Sequence, residues 1–275
     1  YALGESGGML TPWTDANGNA VNVLPVAVAE RGTCHLRLVS SGVSGHASEP
    51  RGDNAVVRLA DAVSRLGHHE WPVELTSSMR ECLDVVSRLR GADVLDGIDF
   101  GERGGLGELL RRLGPLAPVV RRAFRPSTVP TMLKAGYKVN VIPEEAGAGV
   151  DVRTLPGDEE SVLSAVDSLL PEGVEREFIA HEEARESPSS GPFYEAMRSI
   201  LGREVPQAVV LPFCTGGGTD AKAFADLGIL GYGFAPSCRG PQGQEAVGAH
   251  GVDERVPVAS LEFAHRILRA LLEWA

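Results

Sequence analysis

Hydrophobic and polar positions alternate along Cys34-His-Leu-Arg-Leu-Val39 as they do in a half-buried strand, and Val21–Ala29 is a β-branched run whose Pro25 predicts an edge or a bulge. From Asn54 the rhythm changes. Val56, Val57, Leu59, Ala60, Val63 and Leu66 recur at helical spacing and stop at Gly67, so one helix face there must pack, either within the chain or on another copy. Residues from about 76 to 125 alternate helical patterns with glycine-rich breaks. Strands are predicted over Ser127–Leu133 and Ala146–Arg153, a helix over Glu159–Leu170 and a strand over Val174–Ile179. The order β-α-β-β-α-β, with extra helices inserted, is that of a split-βαβ, ferredoxin-like α+β sheet with helices on one face.

Beyond the turn-rich Glu186-Ser-Pro-Ser-Ser-Gly191, helical and strand patterns alternate again: helix 193–201, strand 208–212, helix 220–227, strand 229–234. A closing helix runs over 258–274, with Val258, Leu261, Ile267, Leu268, Leu271 and Leu272 along one stripe. This alternation predicts a parallel-type α/β sheet, whose sites lie at the carboxyl ends of strands. The pattern breaks near Glu30-Arg-Gly-Thr33, so the chain divides into 1–32, an inserted domain over 33–183, and 184–275.

Composition narrows the partners. At 275 residues, with 43% hydrophobic and 23% charged, the chain is globular and long enough for two structural units. Its 26 basic and 37 acidic residues give a net charge of −11, which repels phosphate backbones and anionic headgroups and argues against nucleic acid or a membrane surface as partner. The paired arginines of 109–113 and 119–124 therefore read as solvated helix faces. The four cysteines show neither CxxC spacing nor disulfide-scaffold density. With no long apolar run and no basic-then-apolar leader, the expectation is a soluble, cytoplasmic protein. The chain opens without Met, so an upstream signal is not excluded.

Candidate chemistry sits in five stretches. Tyr1-Ala-Leu-Gly-Glu5 reads as a strand delivering a carboxylate to a sheet edge before Gly7 and Gly8 turn the chain; a solvated Glu beside a turn fits those residues equally. Ser41-Gly-Val-Ser-Gly-His46-Ala-Ser-Glu-Pro50 holds one imidazole at the centre of a loop of small residues, where Gly42 and Gly45 permit tight bends. Lys138-Val-Asn140-Val-Ile-Pro143 lies in the connection before the Ala146–Arg153 strand, which Asp151-Val-Arg153 closes. Thr215-Gly-Gly-Gly-Thr-Asp220 opens a helix and offers backbone N–H groups, or is simply a tight turn; phosphate binding there is a poor match, since no Lys-Ser/Thr follows the glycines as a P-loop requires. Ala249-His250-Gly-Val-Asp-Glu-Arg255 sets an imidazole in a small-residue turn, as a ligand or as a hydrogen-bonded surface histidine.

Together and in this order, these stretches resemble the M20 metallopeptidase family, the relatives of acetylornithine deacetylase, succinyl-diaminopimelate desuccinylase, aminoacylase and glutamate carboxypeptidase. The resemblance implies a zinc-binding α/β catalytic domain interrupted by a lid and dimerisation domain. It implies Glu5 and His250 as metal ligands to two Zn²⁺, with Co²⁺ or Mn²⁺ as alternatives, and His46 as the oxyanion-stabilising group, supplied to the other subunit of a homodimer. Asn140, Arg153, Gly218 and Thr219 become substrate-binding residues, Arg153 for a carboxylate. The implied activity is hydrolysis of an amide bond in an N-acyl amino acid or short peptide with a free carboxylate; a non-catalytic dimerisation or binding protein on the same fold is the alternative. The family's His-x-Asp segment, bridging Asp and paired Glu, which precede the Glu5 stretch, are absent, so the resemblance also implies the C-terminal portion of a longer protein, inactive alone.

Overall fold

A computed structural model describes residues 1–102, 104–249 and 251–275 and separates the chain into two compact bodies, 1–30 with 75–124 and 185–275, and 31–74 with 125–184. The chain begins in the first body with β1 (Ala2–Gly4), β2 (Thr11–Thr14) and β3 (Ala20–Glu30). It continues in the second with β4 (Gly32–Ser41), β5 (Gly45–His46) and α1 (Ala55–His68). The first body takes α2 (Ser77–Arg90), α3 (Gly105–Leu113) and α4 (Ala117–Val120), and the second β6 (Ser127–Ala135), β7 (Val141–Ile142), β8 (Glu145–Thr154), α5 (Glu159–Leu169) and β9 (Val174–Glu182). The first is completed by β10 (Arg185–Glu186), α6 (Pro192–Glu204), β11 (Val209–Thr215), α7 (Ala221–Ala225), β12 (Gly231–Gly233) and α8 (Val258–Trp274).

The division differs from the sequence expectation in one large segment: residues 75–124 pack in the first body, not with the domain that surrounds them in sequence. The reason is physical. One face of α2, with Met79, Cys82, Leu83 and Val86 buried, lies on β11, and the Glu186 carboxylate caps its start by accepting from Ser77 Oγ at 2.5 Å and Ser78 N at 2.8 Å. Helix N-termini need such acceptors because their first N–H groups have no partner within the helix.

In the first body β3 is central, buried from Val23 to Glu30. It runs parallel to β11 and antiparallel to β2, β12 and β10, while β1 lies parallel to β12 at the sheet edge. The sheet is therefore mixed, not the parallel-type sheet expected. Pro25 is not at an edge either. It falls between the β2 pairing, which ends at Val23, and the β12 pairing at Ala27, where the ladder demands no N–H, and its carbonyl accepts from Gly8 N at 2.7 Å. Leu24, Val26 and Val28 pack with Phe193, Met197 and Ile200 of α6 and Phe263, Ile267 and Leu271 of α8. The expected α8 stripe is half right: Ile267 and Leu271 are buried, but Val258, Leu261 and Leu272 are exposed, and Phe263 and Ser260 take their place.

The second body is the expected βαββαβ sheet, antiparallel throughout, in the order β6-β8-β4-β9. Its core joins Leu36 and Leu38 of β4 and Val150 and Val152 of β8 to Leu59, Ala62 and Leu66 of α1 and Val162 and Val166 of α5. Asn54 starts α1 as expected, its side chain accepting from Val56 N at 3.0 Å. Among the described residues, no helix is long and apolar enough to cross a membrane.

Candidate functional site

In the first body, β1 delivers Glu5 as expected: the strand ends at Gly4 on the sheet edge and the Glu5 side chain stands exposed just beyond it. The turn that follows is held tightly. Gly7 and Gly8 adopt φ of +78° and +91°, and a Cβ on Gly8 would lie 2.0 Å from the Ala235 carbonyl oxygen. A glycine is required there both for the left-handed backbone and for the close approach.

Next to β1 lies the glycine loop that leaves the carboxyl end of β11. Thr219 Oγ1 is 3.3 Å from where a Gly4 side chain would begin, so the loop and the Glu5 strand end are neighbours. What fixes the loop is Glu30, a buried carboxylate at the end of β3 that accepts from Thr219 N at 3.0 Å and from Thr219 Oγ1. Sequence reasoning treated Glu30 only as a break in a pattern. The signal was present, since one acid closing an otherwise apolar buried strand needs a partner. Gly218 is exposed, and the α7 helix after the loop is only five residues long, shorter than predicted. His250 lies outside the described residues.

In the second body, the structure brings His46 and Asn140 together. β5 pairs with β7, with His46 opposite Val141, and Ala47 N donates to Asn140 O at 3.1 Å. Gly42 is needed to close the loop, because a Cβ would lie 2.2 Å from Asp53 O; Gly45, in extended backbone with only an ordinary contact, is not. The imidazole is exposed, and its tautomer is set locally. Ser48 N, which can only donate, reaches Nδ1 at 3.2 Å, and Ser48 Oγ lies 2.7 Å from the same nitrogen. With Nδ1 accepting, the neutral ring carries its proton on Nε2, which becomes an outward donor.

Arg153 on β8 is engaged within the body: Nε and Nη2 donate to the two oxygens of Asp151 at 2.7 and 3.1 Å, and Nη1 to Thr33 Oγ1 at 2.7 Å. Asp151 also lies 3.7 Å from His35 Nε2. A guanidinium has five N–H groups, so these contacts orient the fork and leave donor capacity for a further acceptor.

Comparison with known proteins fits this geometry. Residues 28–176, over half of the chain, match the family model described as a peptidase dimerisation domain of the M20 group. The chain is 27% identical over 240 residues to the probable carboxypeptidase S-like 2 of Dictyostelium discoideum, covering 86% of this chain and 45% of that protein. It is 27% identical over 255 residues to the human N-fatty-acyl-amino acid synthase/hydrolase PM20D1, covering 90% of this chain and 50% of that protein. It thus spans about half the length of the curated relatives it matches. Among solved structures, the M20 family metallo-carboxypeptidase Sso-CP2 of Sulfolobus solfataricus superposes with a TM-score of 0.58 at 16% identity, over 98% of this chain and 61% of that one. The aminopeptidase PepT of Bacillus cereus gives 0.57 at 12%, over 96% and 55%. Identities this low speak for a shared fold, and the matched dimerisation segment carries the conclusion they share with the sequence motifs: the chain belongs to the M20 family of metallopeptidases.

Proposed function

We propose that the protein hydrolyses the amide bond of an N-acyl amino acid or short peptide bearing a free carboxylate, with His46 as the donor to the developing oxyanion. The observation that carries this reading is the contact of Ser48 N with His46 Nδ1 at 3.2 Å. Ser48 N donates to Nδ1 of the exposed His46 ring, which leaves Nε2 available as a donor of the kind that stabilises charge appearing only in the transition state. The PM20D1 relative is named for N-fatty-acyl amino acids and the Dictyostelium relative for carboxypeptidase activity, both amide substrates with a carboxylate.

Zinc fits the donor chemistry at Glu5: an exposed carboxylate at a strand end is an oxygen ligand suited to a divalent ion. Glu5 and His250 would each supply one ligand to the metal pair, which when bound would supply a water of lowered pKa as nucleophile. The chain's own residues then bind and orient. Arg153, set by Asp151 and Thr33, takes the substrate carboxylate; Asn140, fixed beside the His46 turn, holds the scissile group. Gly218 and Thr219 would offer backbone N–H groups to the substrate, Thr219 being held by the Glu30 carboxylate. The protein acts as a homodimer in which the His46 loop of one copy serves the other.

The exposed edge strand β6 supports that assembly. Met132 and Leu133 are 71% and 66% exposed on a strand paired on one side only, by β8, which is a template for a second copy. Replacing both by Asp is expected to convert a dimer to monomers in light-scattering chromatography; a wild-type protein already monomeric at micromolar concentration refutes the arrangement. Hydrolysis is tested by assaying the full-length, zinc-loaded protein against a panel of N-acyl amino acids, with short and long acyl chains, and dipeptides. Stoichiometric metal without turnover of any of them favours a binding protein on the same fold.

A further inference from the structure

We infer that the second body carries a metal site of its own, built by Cys34, Glu159 and His181 and suited to Zn²⁺ or a similar transition-metal ion. The backbone register makes the cluster. Cys34 on β4 and His181 on β9 are direct cross-strand partners, so both side chains leave the same face of the sheet, the face that packs on α1 and α5. Between His35 and Leu36 the pairing shifts, inserting Ile179 as an extra residue. That bulge turns Phe178 and His181 to one side, where their rings meet at 4.9 Å between centroids. Glu159, the first residue of α5, arrives over the same spot.

The three donor atoms lie within 4.8 Å of one another. His181 Nε2 is 2.8 Å from Glu159 Oε1, and the Cys34 thiol donates to Glu159 Oε2 at 3.9 Å. Tetrahedral zinc sets its ligand atoms roughly 3.3–3.8 Å apart, so the 2.8 Å imidazole-to-carboxylate contact must open by about half an ångström or more, and the three donors, already within 4.8 Å of one another, need only small side-chain adjustments to reach that spacing. Burial is graded as in a half-closed site. Cys34 is fully buried, while the His181 and Glu159 side chains are 36% and 24% exposed, which gives a water access to the fourth position. Thiolate with imidazole selects zinc-like ions over Mg²⁺ or Ca²⁺. Binding releases the Cys34 proton to solvent, and His181 must present an Nε2 lone pair, its proton moving to Nδ1 or to solvent. Without metal, the same atoms form a His181–Glu159 hydrogen bond over a buried thiol.

The test uses Co²⁺ with the full-length protein, because a cobalt–thiolate charge-transfer band in the near ultraviolet requires a sulfur ligand, which Glu5 and His250 do not offer. Burial pushes the Cys82 thiol up to about 12 and that of Cys238 upward, and the Cys34→Ser variant separates Cys34 from these and from Cys214. The band is expected in the wild type and in Glu5→Ala, to vanish in Cys34→Ser, and to need roughly tenfold or more Co²⁺ in His181→Ala. No band in the wild type, or an undiminished band in Cys34→Ser, overturns the site. Should Cys34→Ser fail to fold, the more exposed positions decide: unchanged Co²⁺ affinity in both His181→Ala and Glu159→Gln also overturns it.

Discussion

His46→Ala is expected to lower kcat of the full-length, metal-loaded protein by about 10²- to 10³-fold, the loss measured when one preorganised oxyanion donor is removed. Because the ring is exposed and, among the described residues, hydrogen-bonds within its own turn, truncation opens no core cavity, so metal content and thermal midpoint should stay at wild-type values. Ser48→Ala is the matching control. It removes the hydroxyl but keeps the Ser48 N–H that holds Nδ1, so the Nε2 proton remains and turnover should fall by less than about tenfold. Steady-state kinetics on both variants, beside metal analysis, read the outcome. Equal kcat for wild type and His46→Ala removes the oxyanion role. Mixing His46→Ala with His250→Ala should recover activity if the loop serves a second copy, because a mixed dimer then holds one intact pairing; no recovery argues for a loop that serves its own chain.

The parts of the molecule legible from sequence are those fixed by local periodicity. α8 runs over Val258–Trp274 as its apolar spacing requires, and the βαββαβ order follows from rhythms that alternate between two and about three and a half residues. What periodicity cannot decide is which of two overlapping stripes is buried. α8 carries apolar side chains on most of its surface, and only the partner sheet selects Phe263, Ile267 and Leu271 over Leu261 and Leu272. Likewise α2 could be allotted to a body only through its contact with β11, more than a hundred residues away in sequence. The same limit hid Glu30. A lone acid closing an apolar strand signals a need for a partner but not which one, and Thr219 is 189 residues distant, whereas His46, Asn140 and Glu5 stand in short motifs. Arg153 stands in the Asp151-Val-Arg153 stretch that the family resemblance links to a carboxylate, while the role of Asp151 in orienting it, two residues away on the same strand, is visible only in the structure.

Gly8→Ala is expected to cost about 3–5 kcal/mol of stability, in the range reserved for backbone strain and steric overlap combined. The added methyl would lie 2.0 Å from the Ala235 carbonyl oxygen and 2.3 Å from its carbon, neither of which can rotate away, and the φ of +91° is itself unfavourable for an L side chain. Gly18→Ala separates the two effects. Its φ is +83°, but nothing lies within 4 Å of the new methyl, so only the backbone term remains, about 1 kcal/mol. Both positions lie in the first body, so denaturant unfolding followed by a common probe compares them directly. Similar costs for the two would mean that the sheet yields at Ala235 and that the approach is not rigid. A large difference ties stability to function, because the Gly8 turn binds Pro25 O through its N–H at 2.7 Å and accepts from Ser237 N at 2.7 Å, three residues beyond Glu5. A turn clamped on both sides fixes where the strand end presents its carboxylate. Gly8→Ala protein that still folds should therefore lose metal affinity at Glu5, while Gly18→Ala should bind as the wild type does.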